Sequence, residues 1–175
     1  MDAPSCRRVQ AAMDAGTSEQ AEVLADTFEV QEEVRRALQI EVADSVLAMV
    51  DATLDALLDP IAAFYDFRLR SREGVSFLRY ETGGFYRRHV DRAHVPSWPL
   101  TARRQITMIL FLESAREIEP SGGFSGGALR LLPEEGGPLE IVPKRGTLVA
   151  FPASTPHEVT LITSGRRDSL VDWFY

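Results

Sequence analysis

A chain of 175 residues, 45% hydrophobic and 26% charged, has material for one buried core and is too apolar to stay disordered. Its net charge of −7 excludes a general nucleic-acid binder, and no apolar run reaches the roughly 18 residues of a membrane span. The single cysteine, Cys6, excludes an internal disulfide, and MDAPSCRRVQ lacks a basic-then-apolar leader, so the expected compartment is the cytoplasm.

In chain order, TSEQAEVLADTFEVQEEVRRAL (17–38) reads as an amphipathic helix starting at a Thr or Ser cap. A second helix is expected over 41–58, with Val42, Val46, Met49, Val50, Leu54 and Leu58 near helical spacing, and Asp59-Pro60 breaks it. After residue 70 the texture changes to short apolar or alternating runs: VSFLRY (75–80), QITMILFL (105–112), GALRLL (127–132), LEIV (139–142), GTLVAF (146–151), EVTLIT (158–163) and DSLVDWFY (168–175). Glycine- and proline-rich turns separate them, SGGFSGG being read as a turn or loop beside the site. The expectation is a single domain over 1–175, mainly β with N-terminal helices (α+β). Residues 1–70 would form a helical support region and 71–175 an antiparallel jelly roll.

Two of the three histidines fall in FYRRHVDRAH (85–94), with Asp91 two residues after His89, and the third is His157. Residues two apart oppose each other on a helix but share a face on a strand, so HVD can chelate only in extended backbone. His157 opens a later expected strand. Two imidazoles and one carboxylate on one triangular face leave other metal positions open, which favours non-haem Fe(II), although zinc accepts the same donors. Ten residues after His157 stands Arg167, whose planar fork suits bidentate capture of a carboxylate; its neighbour Arg166 competes, and periodicity cannot choose between them.

From about residue 75 to 175 the chain resembles the iron- and 2-oxoglutarate-dependent dioxygenases, specifically the prolyl-4-hydroxylase-like branch. The matching pieces are FLRYETGGFYRRHVD, RRQITMILFL, GGALRLL, GTLVAFPASTPHEV and GRRDSLVDWF, in the family's order. The resemblance implies a double-stranded β-helix, with iron ligands His89, Asp91 and His157. Its G-x-R pattern assigns the 2-oxoglutarate anchor to Arg167, and an earlier-strand tyrosine that contacts the cofactor matches Tyr80. It implies Fe(II), 2-oxoglutarate as cosubstrate and O2, with ascorbate an optional addition. The implied reaction hydroxylates an unactivated C–H bond of a prolyl residue or proline-like substrate, releasing succinate and CO2. A small-molecule biosynthetic hydroxylase with the same site, a zinc hydrolase and a non-catalytic jelly-roll binding module remain alternatives. The partners expected are a peptide, protein or small molecule, with no nucleic acid or membrane and no indication of oligomeric state.

The remaining expectations concern the surroundings. Residues 1–60 carry 4 basic and 13 acidic side chains, against 15 and 13 in 61–175. Arg87, Arg88, Arg92, Arg103 and Arg104 near the site either pair with that acidic half or guide an anionic substrate. His94 is expected at the rim, Trp173 in the core, and Tyr86 and Trp98 either in a substrate groove or in ordinary packing.

Overall fold

The structure, a computed structural model, describes residues 1–24, 28–94 and 98–175. It opens with α1 (Ala3–Ala15), which the sequence patterns above do not anticipate. Asp2 caps it by accepting from the Ser5 N–H at 2.8 Å, Pro4 sits in the first turn, and Cys6, Val9 and Met13 form a buried stripe. Cys6 is therefore a core residue, and burial pushes its thiol pKa up, away from reactivity.

Residues 17–38 depart from the expected helix. Their described part forms β1 (Thr17–Gln20), β2 (Val23–Leu24), β3 (Phe28–Glu29) and β4 (Arg35–Arg36), followed by β5 (Leu38–Glu41). Residues 25–27 of that run lie outside the described residues. All four β1 residues are exposed, while Ala21, Val23 and Ala37 of the same segment are buried. Antiparallel pairing with β5, from Thr17 opposite Glu41 to Gln20 opposite Leu38, satisfies the backbone instead. Partner strands outweigh the helix preference of a Glu- and Ala-rich run. The expected second helix is present as α2 (Asp44–Asp55), burying Val46, Val50 and Leu54. Pro60 does not end helical structure there; it lies in the first turn of α3 (Leu58–Tyr65), where a missing N–H loses no bond.

The apolar runs then become β6 (Ser76–Tyr80), β7 (Phe85–His89), β8 (Ile106–Phe111), β9 (Phe124–Gly126), β10 (Leu129–Leu131), β11 (Leu139–Ile141), β12 (Leu148–Pro152), β13 (His157–Val159), β14 (Ile162–Gly165) and β15 (Arg167–Phe174). Two runs differ from expectation: EVTLIT spans two strands, and SGGFSGG contains β9, which pairs with β14.

The main sheet runs β1-β5-β6-β15-β8-β12 and the smaller sheet β11-β10-β13-β7-β4, all antiparallel. Alternation sorts the main sheet's side chains. Phe77, Met108, Leu110, Leu170 and Phe174 form one core cluster with α1, α2 and α3. Leu78, Tyr80, Ile109 and Phe111 pack in the clusters shared with the smaller sheet. The helical side is pinned by Arg72, which pairs with Asp51 and Asp55 of α2 at 2.7 Å and with buried Asp172 of β15. No helix among the described residues is long and apolar enough to cross a membrane.

Candidate active site

The two histidines meet on one rung of the smaller sheet. His157 of β13 is the register partner of His89 of β7, and their ring centroids lie 4.1 Å apart. Each ring nitrogen Nδ1 contacts the carbonyl two residues upstream, His89 to Arg87 at 2.8 Å and His157 to Thr155 at 2.9 Å. A carbonyl only accepts, so Nδ1 carries the proton and the Nε2 lone pair is free to ligate.

Those Nε2 atoms lie 3.6 Å (His89) and 3.4 Å (His157) from the two oxygens of Asp91. Asp91 is not on the strand, as expected from HVD; β7 ends at His89 and Asp91 sits in a bend. Backbone holds it: the amides of Asp91 and Arg92 both donate to the Ala153 carbonyl, at 3.0 and 2.9 Å. The Thr107 hydroxyl donates to its Oδ2 at 2.6 Å, and Arg104 donates to its carbonyl at 3.2 Å. Nothing in the sequence patterns marks Thr107; it comes from β8 and is a neighbour only through the fold.

β7 also carries an irregularity that places Tyr86. Pairing passes from His157 opposite His89 to Val159 opposite Tyr86, so two steps along β13 match three along β7. This bulge returns residues three apart to one face. Tyr86 consequently stacks on His89, with centroids 3.6 Å apart and planes at 17°. Phe151 meets His157 edge-on at 4.8 Å. Burial pushes the Tyr86 phenol up to about 12, so it stays neutral.

Burial, and then the neighbouring His157, push His89 down to about 4. Burial alone would raise Asp91, but the two imidazoles and the Thr107 hydroxyl hold its carboxyl below the usual range. The sign for stability follows. An unfolded histidine titrates near 6.5, so between about 6.5 and 4 the unfolded chain binds more protons than the folded one. The contribution of His89 is complete above that window and is lost as pH falls through it. The metal-free protein should melt progressively lower from pH 7 to pH 5 by calorimetry, and a profile unchanged by His89→Asn would contradict this.

The three donors lie within 4.8 Å of one another, a cluster able to hold a metal ion. Bonds of about 2.1 Å at right angles put donor atoms roughly 3 Å apart, so the observed spacing needs only small rotations to close on an ion. Two neutral imidazoles and a carboxylate on one side fit Fe(II) with open positions opposite.

The donors line a cavity of about 350 Å³ between the sheets. Arg167 and Tyr80, register partners on β15 and β6, both line it. Arg167 is 1% exposed, and its guanidinium lies 5.2 Å from each of the Tyr80 and Phe111 rings. Its Nη1 reaches the Ser169 hydroxyl at 3.3 Å, whereas Nε and Nη2 have no partner. A buried guanidinium with two unmet donors is costly without an anion beside it. Burial lowers its pKa to about 10, so it remains charged at neutral pH. These orphaned donors are the fit test for a carboxylate ligand. Gly127, at φ +65°, makes room: an added Cβ would stand 2.2 Å from Ile162 Cδ1 and 3.0 Å from Arg167 Cδ. Arg166 faces away, paired with Asp14 at 2.8 Å.

Residues 75–175 match the family model of the 2OG-Fe(II) oxygenase superfamily. The chain belongs to that superfamily. It is 34% identical over 96 residues to a PKHD-type hydroxylase of Saccharophagus degradans, covering 54% of this chain and 39% of that protein. It is likewise 34% identical over 114 residues to a PKHD-type hydroxylase of Synechococcus elongatus, covering 64% and 46%. The matched region thus spans under half the length of these curated relatives. Among solved structures, a Pseudomonas putida prolyl-4-hydroxylase superposes with a TM-score of 0.73 at 27% identity, covering 99% of this chain and 87% of that one. A Trichoplax adhaerens prolyl hydroxylase, in complex with a hypoxia inducible factor oxygen degradation domain peptide fragment, shares the fold with a TM-score of 0.77 at 19% identity, covering 99% and 77%.

Within this superfamily member one surrounding residue falls differently from expectation, and one of two readings left open by the sequence is not met. Trp173 lines the cavity rather than filling the core, and its ring lies 3.7 Å under the Arg104 guanidinium. Among the described residues, no ion pair joins the arginine cluster to the acidic N-terminal half. Arg104 pairs with Glu73, Arg103 lies over Tyr175, and Arg87 and Arg92 bond backbone carbonyls. The acidic half instead answers Arg72, Arg79 and Arg166 on the helical side. Tyr86 lines the cavity, while His94 and Trp98 are exposed.

Proposed function

We propose that this protein is an Fe(II)- and 2-oxoglutarate-dependent hydroxylase acting on an unactivated C–H bond of a prolyl residue in a peptide, or of a proline-like molecule. The observation that carries this reading is the pairing, in one cavity, of the His89–Asp91–His157 cluster with the orphaned donors of Arg167. The prolyl preference rests on the Pseudomonas putida relative and on the peptide-bound Trichoplax adhaerens fold.

In this reading His89, Asp91 and His157 hold the ion, and Thr107 keeps the carboxylate turned toward it. Arg167 receives the distal carboxylate of 2-oxoglutarate, with the Tyr80 hydroxyl beside it. Leu78, Ile109, Val159 and Val171 line the cavity and limit water. Iron, 2-oxoglutarate and oxygen together supply an oxidant for the C–H bond, and the balanced result is hydroxylated substrate, succinate and CO2. Ascorbate would serve only to return oxidised iron to Fe(II). The test is anaerobic addition of Fe(II) and then 2-oxoglutarate. A weak visible charge-transfer band is expected, followed by succinate release in air with prolyl substrates. Absence of both, or zinc-dependent ester hydrolysis, overturns the reading.

A clamp on the outer face keeps Arg167 and Tyr80 in register. Arg79 and Asp168, their register-paired neighbours, bond at 2.8 and 3.0 Å behind the cavity wall. Asp14 of α1 joins Arg79 and Arg166, each at 2.8 Å, and despite desolvation these guanidiniums hold its carboxyl below the usual range. Asp14 is half exposed, so its effect is modest. Asp14→Asn should raise the apparent KM for 2-oxoglutarate about twofold to fivefold, with kcat within about twofold and Fe(II) affinity unchanged. An equal fall in Fe(II) affinity would show general loosening instead.

A further inference from the structure

Three guanidiniums line the cavity, those of Arg35, Arg104 and Arg167. Arg104 is answered by Glu73, its Nε donating to Oε2 at 2.7 Å and its Nη2 pairing with the other oxygen. Arg167 is answered, in the function proposed above, by the cosubstrate. Arg35 has neither. Its Nη1 donates to the Glu22 backbone carbonyl at 2.7 Å, its Nε has no partner, and no carboxylate among the described residues pairs with it. Glu22 is an exposed lining residue and forms no ion pair with Arg35.

The position of Arg35 is fixed by the sheet. β4 pairs with β7, Arg35 opposite Tyr86, and the guanidinium lies 4.8 Å over the Tyr86 ring. Tyr86 in turn stacks on His89. The Tyr86 ring lies against the guanidinium, and the Glu22 carbonyl takes Nη1. What is left is the Nε–Nη2 edge, two parallel N–H groups matched to the two oxygens of a carboxylate. 2-Oxoglutarate has two carboxylates, one for the iron and one for Arg167, so it leaves nothing for this third fork.

We propose that Arg35 is a specificity-determining residue that binds a carboxylate of the primary substrate, one tyrosine ring away from the metal ligand His89. This rests on the oxygenase reading of the cavity. Two sources carry the same chemistry, an acidic side chain next to the target residue of a peptide and the α-carboxylate of a free imino acid. Arg35 discriminates against their neutral amides, because an unmet buried donor penalises the analogue that lacks the charge.

The test uses protein loaded with Zn(II) and 2-oxoglutarate, which binds without turnover, and two matched probe pairs. One pair is L-proline and L-prolinamide; the other is acetyl-Pro-Glu-amide and acetyl-Pro-Gln-amide. Affinities are read by calorimetry or ligand-observed NMR. In at least one pair the carboxylate member should bind about tenfold tighter or more, and that pair names the source. Arg35→Gln should erase the preference, and Arg35→Lys, which keeps charge but loses the fork, should retain part of it. No preference in either pair, binding of neither carboxylate probe, or a preference that survives Arg35→Gln overturns the proposal. The Fe(II)–2-oxoglutarate charge-transfer band of the unmutated protein, measured separately, reports failure of the underlying function.

Discussion

Replacing His89 by alanine is expected to lower Fe(II) affinity at least about a hundredfold and to abolish succinate formation. The ring supplies one of only two nitrogen donors in the cluster, and no other histidine can replace it, since His94 is exposed beyond the bend. Its removal leaves Asp91 and His157, a donor pair too small to compete with water for a hard divalent ion. An anaerobic Fe(II) titration measures the loss, and far-UV circular dichroism of the metal-free variant controls for folding. A folded His89→Ala protein with unmutated affinity and turnover would refute the ligand assignment.

Arg167→Met should separate cosubstrate from metal. Fe(II) should bind normally, while apparent affinity for 2-oxoglutarate falls about a hundredfold or more, as expected when one partner of a buried charge pair is truncated. A second effect has the opposite sign. Without ligand, Arg167 is a fully buried cation with two unmet donors, so a well-packed apolar side chain should leave the ligand-free protein as stable or more stable. Thermal melts with and without 2-oxoglutarate check both halves: the ligand-induced rise should vanish and the ligand-free melt should not drop. Arg166→Ala, on the outer face, should change 2-oxoglutarate affinity by no more than about the small increment of an exposed ion pair. Should Arg166→Ala instead reproduce the cosubstrate defect, the neighbours have been assigned the wrong way round.

What could be read from sequence depended on how far apart the interacting residues stand. The strands of the main sheet show as apolar runs because alternation is local, and β6, β8, β12 and β15 fall where VSFLRY, QITMILFL, GTLVAF and DSLVDWFY place them. His89, Asp91, His157 and Arg167 were legible because their residue types are scarce and their order resembles a family. Thr107, Arg35 and the cavity position of Trp173 were not, since each acquires its neighbour only when distant strands pair. The 17–38 segment misled for the same reason: its composition favours a helix, but β5, β6 and β7 offer pairing that composition cannot reveal. Even the clustering of His89 with Asp91 has a cause that HVD spacing does not contain. The carboxylate reaches the imidazoles through a bend tied to Ala153 and Thr107, not through strand alternation alone.

The extra residue of β7 carries a lesson about spacing. Between Tyr86 and His89 stand Arg87 and Arg88, and neither presents its side chain to the metal donors. Their identities are therefore open to change, but the bulge that accommodates them is not. Straightening the bulge with both residues kept would leave Tyr86 and His89 three apart on a regular ladder and turn either the phenol or the imidazole to the far side of the sheet, undoing their stack without altering either ring.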